Sequence, residues 1–124
     1  MALTKLSRQK LSGDWVPTVS GLTNLDSVTL TSGHFVVVGN VVMCFGTFAT
    51  DQTTPAAATF QLSLPFPLDI QAADEIVGTA GGGVVGFGGS VQGNVANDTA
   101  LVTFDTGSAA AQVTTVVFAY RYPE

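Results

Sequence analysis

Between Lys10 and Arg121 the chain has no lysine and no arginine. Its four basic residues, Lys5, Arg8, Lys10 and Arg121, all sit near the ends. Eight acids, from Asp14 to Asp105, lie between them, and Glu124 closes the sequence at a formal net charge of −5. A body without cations cannot replace the counterions on phosphate, which argues against direct nucleic-acid binding. Charge of either sign is scarce: 10% of the 124 residues are charged and 46% are hydrophobic, against about 25% charged in typical soluble domains. Mean hydropathy is +0.41. A chain of this length makes one small domain, whose surface-to-volume ratio leaves part of that apolar surface outside the core. A membrane or an oligomer interface would have to take it.

Long apolar runs are missing as well. A spanning helix needs about 20 consecutive apolar residues. The best run, Phe35 to Ala49, is interrupted by Gly39, Asn40, Gly46 and Thr47 and is dominated by valine, a weak helix former. No apolar stretch follows the charges at Lys5, Arg8 and Lys10, so no secretory signal is read there. The expectation is a homo-oligomer without membrane insertion. Cys44 is the one cysteine, so no intrachain disulfide can form. Asn97-Asp98-Thr99 fits a glycosylation acceptor in form and reads as a turn.

Chemistry-bearing residues are few. His34 and Cys44 are the sole histidine and cysteine, too few for zinc. Asp69, Asp74 and Glu75 lack the spacing of a calcium loop. Gly81-x-Gly83-x-x-Gly86 satisfies a dinucleotide fingerprint in form only, because valine, glycine and serine follow it and no helix can be read. No Gly-x-Ser-x-Gly elbow occurs. Paired carboxylates from distant strands remain open to a glycan hydrolase, with no local feature to single out a pair. No catalytic, cofactor-binding or metal-binding residue is assigned, and no cofactor is expected.

Two regions differ in texture. Residues 1–12 form a basic N-terminal arm with leucines at 3, 6 and 11, too short for a stable isolated helix. It is read either as a disordered tail or as an arm that orders on a neighbouring subunit. Residues 13–124 form one β domain, rich in valine and threonine and punctuated by glycine and Asx clusters. Strands are predicted over Trp15–Val19, Ser27–Thr31, His34–Val38, Val41–Thr50, Thr59–Leu64, Glu75–Ala80, Val84–Gly89, Val91–Val95, Ala100–Phe104 and Gln112–Tyr122. A faint helix is read over Ile70–Glu75. So many short strands point to an all-β fold: an antiparallel β-sandwich, jelly-roll-like, with a barrel as the alternative.

Gly39-Asn40 between two apolar runs marks a two-residue hairpin. This register pairs Val38 with Val41, Phe35 with Cys44 and His34 with Phe45. It separates His34 from Cys44, which excludes a Cys–His dyad. One face then shows His34, Val36, Val38, Val41, Met43 and Phe45, and the other Phe35, Val37, Val42 and Cys44. Both are apolar, so both are expected to be covered, one by the core and one by a neighbouring subunit or a long loop. Trp15, at a strand start, reads as a core or interface anchor. Trp15, Phe35, Val37 and Val42 are the residues assigned to the oligomer interface.

Gly13-Asp14-Trp15-Val16-Pro17-Thr18 resembles the Gly-x-Trp-x-Pro-Thr opening of β-rich head or tip modules in bacteriophage tail fibres. Val38-Gly39-Asn40-Val41-Val42, Leu62-Ser63-Leu64-Pro65, Gly78-Thr79-Ala80 and Phe118-Ala119-Tyr120 follow in the same order. Members commonly carry a basic residue just before the turn, where this chain has Val37. The resemblance implies a non-enzymatic homotrimer in the virion, assembled in the host cytoplasm. The expectation is a capsid decoration or cement protein whose Lys5, Arg8 and Lys10 dock on an acidic surface of the major capsid protein or a tail component. The alternative is a tail appendage that binds a host surface glycan or protein through loops such as Asp51–Ala58 or Gly81–Gly89.

Overall fold

A computed structural model describes residues 12–82 and 88–122. It contains nine strands: β1 (Ser12–Asp14), β2 (Val19–Thr23), β3 (Leu25–Val38), β4 (Val41–Gln52), β5 (Ala58–Leu62), β6 (Ile76–Gly82), β7 (Gly88–Asn94), β8 (Thr99–Phe104) and β9 (Ala111–Arg121). One 3₁₀ turn, Ala73–Glu75, precedes β6. The fold is all-β. Every strand pairs antiparallel with its neighbours in a single sheet of order β1-β3-β4-β9-β6-β7-β8-β5-β2, curled into a half-barrel.

The curl follows from connectivity. β1 and β2 are the two edges of the sheet, yet four residues, Trp15–Thr18, join them. Such a link spans at most about 17 Å, so the edges must approach each other. Hydrogen bonds fix the link on both sides. The Trp15 amide donates to the Gly33 carbonyl (3.0 Å), and the Ser63 amide donates to the Thr18 carbonyl (3.1 Å). The Trp15 indole Nε1–H donates to the Ser63 carbonyl (3.0 Å), and the Thr18 amide donates to Ser63 Oγ (2.8 Å). A Cβ on Gly33 would run into the Trp15 carbonyl oxygen, so only glycine admits this close approach.

Alternation along the strands fills the concave side. β4 contributes Val42, Cys44, Phe48, Thr50 and Gln52, and β9 contributes Thr114, Val116, Phe118 and Tyr120. β5 and β8 face them with Ala58, Phe60, Leu62, Ala100, Val102 and Phe104. Aromatic rings meet edge to face: Phe48 on Phe60 at 5.5 Å, Phe60 on Phe104 at 5.7 Å, and Trp15 on Phe118 at 5.4 Å between centroids. Truncating any one of these to alanine costs about 3–5 kcal/mol.

The predicted hairpin has the predicted register: Val38 pairs with Val41, Phe35 with Cys44 and His34 with Phe45. Gly39 takes φ +62°, as the turn requires. Other elements differ. The predicted strand Trp15–Val19 is mostly the seam-closing link. The predicted strands Ser27–Thr31 and His34–Val38 merge into β3, which passes Ser32-Gly33 with a register shift between Leu30 and Ser32. Ile70–Glu75 makes only the 3₁₀ turn, held by the Glu75 carboxylate accepting from the Gln71 and Ala72 amides (3.0 and 2.9 Å). The predicted strand Val84–Gly89 lies outside the described residues except for Gly88 and Gly89, which open β7, and the arm of residues 1–12 lies outside them except for Ser12, which opens β1.

Candidate interaction surface

The four residues assigned to an oligomer interface belong to the chain's own core. Trp15, Phe35, Val37 and Val42 are 3%, 8%, 5% and 0% exposed. Phe35 rests edge-on against Phe66 (5.4 Å), and Trp15 against Phe118. The curled sheet encloses them in this single chain, and the hairpin's other face is the open one.

That convex face is built by register. Val36 lies beside Met43, Met43 beside Ala119, and Ala119 beside Val77, one row across β3, β4, β9 and β6. The next row runs His34, Phe45, Val117 and Thr79. Val38 and Val41 sit at the turn end, with Arg121 opposite Val41. Val38 is 63% and Val77 68% exposed, while Val36, Val41, Met43, Phe45, Val117 and Ala119 are half-buried. No acid lies in either row. Asp14, on β1 opposite His34, stands at one corner, and Arg121 at the other.

A depression of about 340 Å³ on this face is lined by Asp14, Ser32, His34, Phe45 and Val117 among others. The fold thus gathers an acid, an imidazole and a hydroxyl that sequence reading did not connect. The signal was there: Ser32 and His34 share a strand face at a spacing of two, but Asp14 joins them only through pairing of β1 with β3. All three side chains are exposed, and among the described residues no hydrogen bond links them. The arrangement is an open depression in which these three side chains face one another without a hydrogen bond among the described residues.

His34 and Cys44 point to opposite faces, as the hairpin register requires. Cys44 is fully buried, and burial pushes its thiol up to about 12. It is a core thiol without nucleophilic character at neutral pH. Among the described residues no cluster of three His, Cys, Asp or Glu side chains could hold a metal ion, and no helix is long and apolar enough to cross a membrane.

The second cavity, of about 500 Å³, brings Asp69, Asp74 and Glu75 near Arg121 beside Leu68 and Gln71. Glu75 is already committed to the 3₁₀ turn.

Polar groups inside the sheet are all used. Gln52 accepts from the Thr106 amide (2.7 Å) and hydroxyl and donates to the Ala56 carbonyl. The Thr50 and Thr114 hydroxyls bond each other at 2.9 Å. No buried side-chain nitrogen or oxygen among the described residues lacks a partner. Such a core specifies a structure.

The loop after β4 is pinned by Asn24. Its carboxamide oxygen accepts from the Thr54 amide and hydroxyl (3.1 and 2.9 Å), and its nitrogen donates to the Thr54, Ala56 and Ala57 carbonyls (3.2, 3.1 and 3.3 Å). Residues 53–57 are exposed yet held in place.

No family model, no curated protein and no solved structure matches this chain.

Proposed function

We propose that this chain is a non-enzymatic bacteriophage virion structural protein, a homotrimer on the particle surface that decorates the capsid and stabilises the shell. The observation that carries the reading is the convex apolar face of β3, β4, β9 and β6, which is broad, nearly uncharged and built on a core whose buried polar groups are all paired. Such a face suits contact between proteins, and the absence of a poised nucleophile or acid–base pair in the described residues suits a structural role. The sequence resemblance to tail-fibre tip modules supplies the virion setting. On this reading the curled sheet serves as a jelly-roll-like sandwich, its two halves packed across one core through pairs such as Phe48 and Phe60. Lys5, Arg8 and Lys10, outside the described residues, dock the arm on an acidic surface of the major capsid protein or a tail component. The particle assembles in the host cytoplasm.

The test is the copy number in purified virions, measured by quantitative mass spectrometry against the major capsid protein. A ratio near that of the capsid subunit supports decoration. Absence from particles overturns the virion reading.

One observation favours a second reading, a tail appendage that binds a host glycan or protein. Residues 53–57 form an exposed loop fixed by Asn24, and a preformed loop loses little entropy on binding. A few copies per particle, together with binding of the purified protein to host cells, would favour this role.

A further inference from the structure

Among the described residues, the convex face has a broad apolar stretch free of acids between Asp14 and Asp51. On β4 the outward residues are Val41, Met43, Phe45, Thr47 and Ala49 before Asp51 is reached; on β9 they are Val113, Thr115, Val117 and Ala119 before Arg121. The acids Asp69, Asp74, Asp98 and Asp105 lie on the connections between strands. A copy approaching from those sides meets like charge in a chain of net charge −5. A copy approaching the convex face meets valine, methionine, phenylalanine and threonine.

We infer that this face is where one copy of the chain packs on another, with Val36, Met43, Phe45, Val77 and Val117 at the centre of the contact. Three features select a second copy as the occupant. At its apolar end the face carries one acid, Asp14, and one cation, Arg121, at opposite corners, while Asp51 lies at the far end of β4. A second copy can therefore set its Arg121 near the first copy's Asp14 without opposing like charges. A basic partner such as nucleic-acid-binding protein would find no acidic field here, and an acidic one would find a single arginine. The extent also fits: strands spaced about 4.8 Å apart and rising about 3.3 Å per residue give β3, β4, β9 and β6 a footprint of roughly 600 Å², close to the ~800 Å² per partner of a specific interface. Half-buried and exposed apolar side chains are grouped at one end of that footprint rather than scattered, as expected of the core of a contact patch.

This inference rests on the homo-oligomer part of the proposed function and is independent of the virion part. The experiment is sedimentation velocity of the full-length protein across a dilution series, with Met43→Glu, Val117→Lys and Val77→Glu beside the wild type and Leu22→Glu on β2 as a control. Val77 is 68% exposed, so its substitution leaves the fold intact even if the other two perturb it. Circular dichroism and the emission of Trp15 verify folding. The expected result is an oligomeric wild type and control, with at least a tenfold weaker association for each convex-face variant. An oligomer that all three variants leave unchanged overturns the assignment of this face while keeping the homo-oligomer. A monomeric wild type throughout the series overturns both.

Discussion

The phenol of Tyr120 on β9 is clamped by both backbone groups of Phe66. It donates to the Phe66 carbonyl at 2.8 Å and accepts from the Phe66 amide at 3.1 Å. This one hydroxyl ties the segment after β5 to the middle of the sheet, where Phe66 covers Phe35 at 5.4 Å and Tyr122 at 6.0 Å. Tyr120→Phe keeps the ring and removes both bonds. Because Phe66 is half-buried, water replaces part of the loss, and the cost is about 1–2 kcal/mol. Chemical denaturation followed by Trp15 emission should show a lower midpoint with an unchanged slope. An unshifted midpoint would show that the clamp adds nothing to stability.

Burial also makes the fold sensitive to alkali. It pushes Cys44 from an ordinary value of 9.0 up to about 12 and raises Tyr120 well above the usual phenol range. Both groups stay neutral in the folded chain at a pH where the unfolded chain releases their protons. The unfolded state then binds fewer protons, so stability falls as pH rises. For Cys44 the stabilisation is complete below pH 9 and is lost from there towards pH 12, and Tyr120 adds to the loss above pH 10, with a slope of up to about 1.4 kcal/mol per pH unit for each group. Cys44→Ala, though less stable at neutral pH, should lose less between pH 9 and 10 than the wild type. Equal slopes for the two proteins would remove the thiol as the cause.

How much of this was legible in the sequence depended on the range of the interaction. The Gly39-Asn40 turn and its flanking valines set the register of β3 on β4 locally, and the pairs Val38–Val41 and His34–Phe45 follow from it. The same hairpin left open which of its faces joins the core. Both of its faces are apolar, and alternation alone does not say which one turns inward. That choice is made by Trp15, Phe48 and Phe118, which fill the concave side from three places in the chain and leave Met43 and Phe45 on the convex one. The seam was illegible for a related reason: the Trp15 indole meets Ser63 across 48 positions. The gathering of Asp14 with His34 likewise needed the pairing of the edge strand β1.

Asn24 carries a second such long-range contact. It sits in the left-handed region at φ +57° between β2 and β3, and its side chain holds the loop after β4 through five hydrogen bonds. Asn24→Gly tolerates the backbone angle but loses the bonds, at about 1–2 kcal/mol. Asn24→Ala loses the bonds and adds about 1 kcal/mol of backbone strain. The stability order should be wild type, then glycine, then alanine, with limited proteolysis between residues 53 and 57 faster in both variants. An alanine variant as stable as the glycine variant would argue against strain at this position.

Gln52 offers the sharpest test of the polar core. Its amide oxygen accepts from Thr106, and its nitrogen donates to the Ala56 and Thr54 carbonyls and faces Asp105 Oδ1 at 3.4 Å. Gln52→Glu preserves shape and changes only what the nitrogen side can do. At neutral pH the introduced carboxylate faces two carbonyl oxygens and the Asp105 carboxylate, all acceptors, in a site only 1% exposed. It is therefore destabilising there by about 3 kcal/mol or more. Burial and the neighbouring acid raise its folded pKa above the unfolded value of about 4.3. The protonated acid can donate again, so the deficit relative to wild type should shrink as pH falls towards about 4 and grow as pH rises through the folded pKa. Denaturation of both proteins from pH 4 to 7 measures that difference. A deficit constant across the range would mean that the nitrogen of Gln52 is not the donor in this network.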